Sequence, residues 1–314
     1  MYNPRQNFKS IPLRGSISSR GSISLSQNFL ANPKVAREIV DLAHFIDEDL
    51  VIEIGPGTGR ITNELIQSAG KVIGIEKNTS LYQKLILKYE DKKDKIELVN
   101  EDFLDYKLPK IDYKFFANIP FGITTEILDK ISFNSNPPIE TYLIMQKEAA
   151  MRFTGNPKTT QISCLLYPIF AASSIYFFDP ADFNPIANVD IVLFKMQKRE
   201  VNLLKKNTNF GDYKDFIYYV FNSNAISVFN TFKTIFSNIQ LGILSTRYGF
   251  SKQTLKTEIT TDVYLELFIF FIDNTPFHKR DLVRRAAEKY AANASKIVKE
   301  HRTNTHSRKS NFRM

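Results

Sequence analysis

The chain has 314 residues, of which 43% are hydrophobic and 24% charged, and its formal net charge is +9. This length suits one large domain plus a smaller one, and the composition is that of an ordinary globular protein. Because no run of about eighteen apolar residues occurs, a membrane span is not expected. The single cysteine and four scattered histidines exclude an internal disulfide and give no metal-ligand spacing.

Positive charge is concentrated at the two ends of the chain. Residues 1–37 contain six Lys or Arg and no acidic residue, whereas residues 278–314 contain eleven against three acids. The segment between them therefore carries a net charge of −5. Basic ends of this kind are expected to bind a polyanion with an affinity that falls steeply with salt. The alternative is that they only increase solubility.

The first predicted segment is a disordered basic arm over residues 1–26. Ser, Gly, Asn and Arg dominate it and apolar residues are few, so it cannot bury a core of its own. We expect Arg5, Arg14 and Arg20 to contact the phosphates of a nucleic acid. An acid-free N-terminus rich in Arg and Ser is also typical of an organellar transit peptide, and that alternative stays open.

Residues 27–198 are predicted to form an α/β domain. A helix over Val35–Phe45 follows Asn32-Pro33, a plausible capping pair. Short apolar runs that alternate with helical stretches predict a doubly wound, mainly parallel sheet. The predicted strands are Leu50–Ile54, Val72–Ile75, Ile96–Val99, Lys114–Ala117 and Tyr142–Met145, with helices at Arg60–Ser68 and Ser80–Tyr89 and an antiparallel closing pair at Ile169–Phe178 and Val189–Gln197.

Beyond Lys198 the pattern becomes helical, with no alternation typical of strands. Amphipathic runs predict a small helical domain over residues 199–300, followed by a basic tail over residues 301–314. The predicted helical runs are Tyr213–Phe221, Ala225–Phe236, Asp262–Ile272 and Lys279–Lys299.

Acidic residues lie at the ends of three successive predicted strands. The first strand ends in Glu53-Ile54-Gly55-Pro56-Gly57-Thr58-Gly59, where Gly55 and Gly57 would let the backbone approach a ligand. Glu53 could hold this turn or the amino-acid portion of that ligand. A glycine turn after a strand also fits a nicotinamide dinucleotide site. However, Glu76 suits the two hydroxyls of a ribose, and Asp102, with Phe103 beside it, suits an adenine, so the set favours S-adenosylmethionine.

Asn118-Ile119-Pro120-Phe121 follows the fourth predicted strand, at the sheet edge where such folds bind ligands. Its groups suit methylation of an exocyclic amine, whose lone pair is conjugated into the ring and is a poor nucleophile. The Asn118 side-chain oxygen and the Pro120 carbonyl can each accept one amine hydrogen, while Phe121 stacks on the base. Because a sulfonium methyl is already activated, catalysis reduces to orientation and desolvation.

Two further segments, Ser26-Gln27-Asn28-Phe29-Leu30 and Leu143–Glu148, belong with those described above. Together the segments follow one another in the order seen in rRNA adenine N6-dimethyltransferases, so the chain resembles that family. The resemblance covers about residues 26–196. It implies a Rossmann-like S-adenosylmethionine-dependent methyltransferase sheet with a small helical C-terminal domain, and an RNA adenine as substrate. It also adds Gln27, Asn28, Leu30, Lys77 and Asn118 to the expected cofactor site.

Within this superfamily, Ile119 and Phe121 resemble the Erm macrolide-resistance branch. The housekeeping small-subunit branch more often has Leu and Tyr at these positions. The Erm resemblance implies a cytoplasmic, monomeric enzyme that methylates 23S rRNA before subunit assembly and confers macrolide, lincosamide and streptogramin B resistance. The alternatives are a housekeeping small-subunit dimethylase and a non-catalytic organellar RNA or transcription factor of the same fold.

Two further expectations concern details of substrate binding. In the predicted helical domain, Lys279, Arg280, Arg284 and Arg285 are expected to contact phosphates without reading sequence. In the segment Phe183–Asp190, Ala187 stands where the family usually has a second proline, so the fine positioning of the substrate is expected to differ.

Overall fold

The computed structural model describes residues 29–119, 121–204 and 208–292, with the backbone alone at Phe121. The expectations for residues 1–28, Pro120 and residues 293–314 lie outside the described residues. The chain divides into two compact units: residues up to Thr154 together with Phe170–Glu200, and Gly155–Ile169 together with the residues from Val201 onward.

The first unit is built on a mixed sheet of seven strands in the order β4-β3-β2-β5-β6-β9-β7, with a separate two-stranded ladder of β1 and β8. Strands β2 to β6 are parallel, and β9 runs antiparallel to both β6 and β7. The predicted α/β class is therefore confirmed. The strands are β1 (Phe29–Leu30), β2 (Leu50–Ile54), β3 (Lys71–Ile75), β4 (Ile96–Val99), β5 (Lys114–Asn118), β6 (Glu140–Gln146), β7 (Phe170–Phe177), β8 (Phe183–Asn184) and β9 (Ile191–Lys198).

The central strands are apolar at successive positions because both faces of the sheet are covered. Val51, Ile52, Phe115 and Phe116 each have 0% of their surface exposed. The helices of this unit are α1 (Pro33–Asp41), α2 (Arg60–Ser68), α3 (Thr79–Lys88), α4 (Thr124–Ser132) and α5 (Lys147–Thr154).

Local sequence signals set the helix starts. The Asn32 side chain accepts the Lys34 N–H ahead of Pro33 at the first turn of α1, and the Asn78 side chain accepts the Leu81 N–H at the start of α3. Helix α1 ends at Asp41, four residues before the predicted end. Just beyond it, His44 has a φ of 49°, which a continuing helix does not allow.

The strand order places a crevice at one edge of this sheet. The chain runs outward from β2 through β3 to β4 and then returns to add β5 on the other side of β2. At such a reversal, the loops that leave neighbouring strands turn to opposite faces and leave room for a ligand. The crevice therefore lies beyond the carboxyl ends of β2 and β5.

The second unit is helical and has an aromatic core. The Phe216 ring lies 5.9 Å from Phe232, 5.6 Å from Phe268 and 5.3 Å from Phe271, and these rings bury large apolar areas. No helix in residues 29–119, 121–204 or 208–292 is long and apolar enough to cross a membrane. The helices of this unit include α6 (Gln161–Leu166), α7 (Phe210–Asn222), α8 (Val228–Phe232), α9 (Asn238–Tyr248), α10 (Thr261–Asn274) and α11 (Phe277–Val283).

Residues 155–169 lie within the sequence range expected for the α/β domain, but they belong to the helical unit. The Tyr213 hydroxyl donates to the Cys164 carbonyl over 2.8 Å, and the Thr159 N–H donates to the Thr257 carbonyl over 3.0 Å. These bonds join segments that are far apart in sequence. The local sequence pattern of residues 155–169 does not reveal these distant partners.

The prediction of one helix over Lys279–Lys299 is wrong, because α11 ends at Val283. Arg285 has a φ of 60°, which a helix cannot accommodate. The Asp215 carboxylate accepts the backbone N–H of Arg285 over 2.6 Å and that of Ala287 over 3.0 Å. This carboxylate satisfies N–H groups that the interruption leaves without a helical partner. The predicted Ala225–Phe236 helix is also shorter, as α8 covers only Val228–Phe232.

Candidate cofactor and acceptor site

The strand register brings several of the predicted site residues to one edge of the sheet. Ile54 of β2 pairs with Ile75 of β3 and with Ala117 of β5. Gly55, Glu76 and Asn118 are the residues that follow these three, so they stand next to each other. Asp102 follows β4, whose Val99 pairs with Ile75. This edge therefore holds the glycine turn, the carboxylates of Glu76 and Asp102, and Asn118. Asn118 is the first residue of Asn118-Ile119-Pro120-Phe121, the predicted acceptor tetrad.

The glycine turn after β2 has a backbone shape that requires glycine. Gly55, Gly57 and Gly59 have φ values of 63°, 58° and 75°, in the left-handed region that other residues rarely adopt. A Cβ on Gly55 would meet nothing within 4 Å, whereas one on Gly57 would lie 3.1 Å from Cε1 of Phe29. The turn is thus open at Gly55, where a ligand can approach the backbone, and covered at Gly57.

Glu76 connects the glycine turn to the end of β3. Its Oε2 accepts the Gly57 N–H over 3.0 Å and its Oε1 accepts the Asn78 N–H over 2.8 Å, and only 6% of the residue is exposed. An ionised carboxylate has about four acceptor sites. Two of them remain after these bonds, which is enough for the two hydroxyls expected of a ribose.

Glu53 is buried at the end of β2 and bonds to α2. It is 2% exposed, and it accepts the Thr62 hydroxyl over 2.6 Å. Burial raises the pKa of Glu53 to about 8, the nearby Glu76 charge also raises it, and the Thr62 bond and Lys88 lower it. The protonated form therefore predominates at neutral pH. These contacts fit the first of the two expected roles, in which Glu53 holds the turn.

Asp102 carries a partner on each carboxylate oxygen. Lys77 Nζ lies 2.6 Å from Oδ2, and the Leu104 N–H donates to Oδ1 over 2.9 Å. The Lys77 bond and then the Leu104 bond hold the pKa of Asp102 below its usual range, so the group is ionised at neutral pH. An ionised carboxylate only accepts hydrogen bonds and has about four sites for them, so Asp102 can also accept one from an adenine amino group.

The Phe103 ring lies in the core, which differs from its expected position beside the adenine of the ligand. Phe103 is 4% exposed, and its ring meets Phe115 edge-on at 5.4 Å. An apolar ring gains more by burial next to another ring than by exposure to solvent. In this structure the ring anchors the loop that follows β4.

Asn118 is the last residue of β5, where it pairs with Ile144 of β6 and is half-buried. Ile119 is 2% exposed, and its N–H donates to the Ile144 carbonyl over 3.2 Å. Pro120 lies outside the described residues. The backbone of Phe121 begins a short 3-10 turn that leads into α4. The roles of Asn118, Pro120 and Phe121 toward an amine and a base remain predictions.

The N-terminal part of the expected site is anchored by the segment around β8. Phe29 pairs with Asn184 and Leu30 pairs with Phe183, while the Ala31 N–H donates to the Asp182 carbonyl over 2.6 Å. Leu30 is 4% exposed, so its side chain contributes to the core. Gln27 and Asn28 lie outside the described residues.

The four basic residues expected to bind RNA in the helical unit divide into two pairs. Lys279 Nζ donates to the Thr234 carbonyl over 3.2 Å, and Arg280 Nε donates to the Thr275 carbonyl over 2.6 Å. Both are half-buried, so their cationic groups also serve the fold of this unit. Arg284 and Arg285 are exposed and lie near acids of their own segment. Arg5, Arg14 and Arg20 lie outside the described residues.

The sequence did not identify two lysines that bind the loops of this edge. Lys88 Nζ donates to the carbonyls of Thr58 and Gly59 over 3.0 and 3.1 Å. Lys130 Nζ donates to three carbonyls of the loop after Asp102. A lysine near a helix end usually indicates only a solvated charge, so no local pattern distinguishes either lysine in the sequence. In residues 29–119, 121–204 and 208–292, no group of three or more His, Cys, Asp or Glu could hold a metal ion.

Comparison with known proteins gives a family and a fold. A family model described as ribosomal RNA adenine dimethylase matches residues 18–273. The ribosomal RNA small subunit methyltransferase A of Francisella tularensis subsp. novicida is 29% identical over 221 residues, which cover 68% of this chain and 83% of that relative.

Two solved structures share the architecture of the chain. One is the 23S rRNA methyltransferase ErmE, with a TM-score of 0.72, 24% identity, and coverage of 79% of this chain and 100% of that one. The other is a dimethyladenosine transferase from Plasmodium falciparum, with a TM-score of 0.63, 23% identity, and coverage of 78% and 98%. At these identities the likeness establishes the fold alone.

Proposed function

The chain belongs to the ribosomal RNA adenine dimethylase family, and we propose that it methylates N6 of one adenine in 23S rRNA, once or twice. The reaction class follows from the family: the chain is an S-adenosylmethionine-dependent rRNA adenine N6-methyltransferase. One observation carries the proposed site. The strand register sets Asn118 next to the glycine turn and Glu76 at a single sheet edge, so the groups proposed for the acceptor and the cofactor adjoin.

The residues of this edge fit S-adenosylmethionine. The open face at Gly55 admits a ligand to the backbone, Glu76 keeps two acceptor sites for ribose hydroxyls, and ionised Asp102 suits the adenine amino group. When bound, the cofactor supplies a methyl group already activated by its sulfonium. Gln27, Asn28, Gly57 and Lys77 complete the proposed cofactor site. Glu53 holds the turn, and the buried side chains of Leu30 and Phe103 anchor the segments that border the site.

The chemical work left to the protein is to orient the acceptor. The Asn118 side-chain oxygen and the Pro120 carbonyl would each accept one hydrogen of the adenine amine, which directs its lone pair at the methyl carbon. Phe121 would stack on the base after it leaves the RNA helix. Orientation of this kind lowers a barrier substantially, because the reacting atoms are already aligned.

The choice of 23S rRNA rests on Ile119 and Phe121, which resemble the Erm branch. It implies resistance to macrolides, lincosamides and streptogramin B. A second candidate is the small-subunit dimethylase, which is favoured by the 29% identity to proteins named as small subunit methyltransferases. We further propose that residues 199–300 act as an RNA-binding domain, and that the enzyme is a cytoplasmic monomer acting before subunit assembly.

A methyl-transfer assay on separated RNAs tests the proposal. Purified protein, labelled S-adenosylmethionine and protein-free 16S or 23S rRNA are mixed, and the modified base is located by primer-extension arrest. We expect label in 23S rRNA with wild-type protein and little with Asn118→Ala. Label confined to 16S rRNA would establish the second candidate. A protein that binds S-adenosylhomocysteine but labels neither RNA would point to the non-catalytic alternative.

A further inference from the structure

Lys130, on the last turn of α4, binds the loop that follows Asp102. Its Nζ donates to the carbonyls of Phe103, Leu104 and Tyr106 over 2.6, 2.7 and 2.6 Å. An ammonium has three N–H donors, so each of them has a carbonyl partner. The side chain is half-buried, and the ammonium also lies 4.9 Å from the centre of the Phe103 ring.

The same loop fixes the carboxylate of Asp102. The Leu104 N–H donates to Asp102 Oδ1 over 2.9 Å, and the N–H groups of Asp105 and Tyr106 donate to the Asp102 carbonyl over 2.9 and 3.1 Å. Lys130 therefore bonds to the carbonyl of Leu104, the residue whose N–H orients Asp102. Lys130 also binds the carbonyl of Phe103, which belongs to the same peptide group as the Leu104 N–H, so the ammonium holds the peptide group that donates to the carboxylate.

Three carbonyl oxygens directed at one point repel one another unless a cation lies between them. The loop would open if the ammonium were removed, because in a half-buried place water would not replace all three bonds without a rearrangement. The first bond to be disturbed is that from the Leu104 N–H to Asp102, because this N–H and the Phe103 carbonyl bound by Lys130 belong to one planar peptide group.

We propose that Lys130 is a positioning residue that holds the Asp102 carboxylate in place for the adenine of the cofactor. This inference rests on the proposed cofactor role of Asp102. It gives α4 two tasks. This helix begins at Thr124, after the short 3-10 turn that starts at Phe121, and it supports the cofactor loop from its last turn. In this role Lys130 acts through the loop, because its three N–H groups bind the carbonyls of that loop.

The experiment measures calorimetric affinity for S-adenosylhomocysteine in the full-length protein. Lys130→Met, which keeps the length of the chain but removes the ammonium, should weaken binding about five- to tenfold. It should raise the KM for S-adenosylmethionine while leaving kcat at saturating cofactor within about twofold. Lys130→Arg should be intermediate, because a planar guanidinium cannot direct three N–H groups to carbonyls arranged around one atom.

The matched control is Lys256→Met in the helical unit. Lys256 Nζ also donates to a backbone carbonyl and a hydroxyl, both of Ser223, and burial lowers its pKa as it does that of Lys130. This substitution should lower the melting temperature but change cofactor affinity less than twofold. If Lys256→Met weakened cofactor binding as much as Lys130→Met does, both effects would reflect a general loss of stability, and the inference would be overturned.

A double-mutant cycle with Asp102→Ala separates this inference from the cofactor proposal. If Lys130 acts through Asp102, adding Lys130→Met to Asp102→Ala should weaken binding less than twofold further. Losses that multiply would refute the path through Asp102. If Asp102→Ala by itself leaves affinity unchanged, the proposed cofactor site fails. If only Lys130→Met is without effect, the site stands and the positioning role fails. Should Lys130→Met not fold, Lys130→Arg completes the same cycle.

Discussion

Glu76→Gln tests the cofactor site most directly, because it removes a charge and keeps the shape of the side chain. In the structure each carboxylate oxygen accepts one backbone N–H, from Gly57 and from Asn78. A glutamine keeps one oxygen for one of these donors. Its NH₂ group must then face the other N–H, so one buried donor loses its partner. The proposed ribose hydroxyls lose the charge of their acceptor at the same time.

The magnitude follows from these bonds. A hydrogen bond to a charged group contributes about 1.5–3 kcal/mol, and about 1.4 kcal/mol corresponds to a tenfold change in affinity. The affinity for S-adenosylhomocysteine should therefore drop roughly 10- to 150-fold. The orphaned N–H should also cost about 1–3 kcal/mol of folding stability, so a lower melting temperature is expected even without ligand.

Calorimetric titration measures the affinity, and thermal unfolding with and without ligand measures the stability. Glu90→Gln serves as the matched control, because Glu90 is exposed in the short turn after α3 and should change neither quantity. A folded Glu76→Gln protein that binds S-adenosylhomocysteine with wild-type affinity would refute the assignment of Glu76 to the cofactor.

Four other outcomes are expected. Asn118→Ala should depress kcat much more than cofactor affinity, and equal losses in both would make Asn118 a cofactor or structural residue. Deleting residues 1–24 should reduce the slope of log RNA affinity against log salt by roughly 3, whereas an unchanged slope would favour the transit-peptide alternative. Because the pKa of Glu53 is raised to about 8, folding leaves this group protonated while the unfolded chain ionises, so its contribution to stability should fall as pH rises from about 5 to 8. The melting temperature of Glu53→Gln should not show this part of the pH dependence. Melting temperatures that change with pH in the same way in wild type and Glu53→Gln would contradict the burial argument. Gly59→Ala should destabilise the protein by about 1–3 kcal/mol, because its Cβ would lie 2.5 Å from the Tyr89 hydroxyl at a φ of 75°, and an unchanged denaturation midpoint would contradict this.

The sequence by itself determined the parallel strands and the glycine turn. Leu50–Ile54 and Ile96–Val99 form strands with the predicted bounds, because short, mainly apolar runs are typical of strands in a parallel sheet. The left-handed backbone at Gly55 and Gly57 could also be expected, since glycine is the residue that adopts it without strain. Such features depend on the chemistry of neighbouring residues, which a sequence displays directly.

Only the tertiary structure decided which distant groups meet. The Phe103 ring turns into the core because Phe115 lies there, and residues 155–169 join the helical unit through bonds to Tyr213 and Thr257. The helix predicted to continue past Val283 is interrupted, and Asp215, about seventy residues earlier, accepts the N–H groups that the interruption frees. Lys130 appears in the sequence as one more surface charge, and its role depends on three carbonyls that the fold brings together. A hydrogen bond requires donor and acceptor within about 3 Å, and for residues far apart along the chain only folding sets that distance.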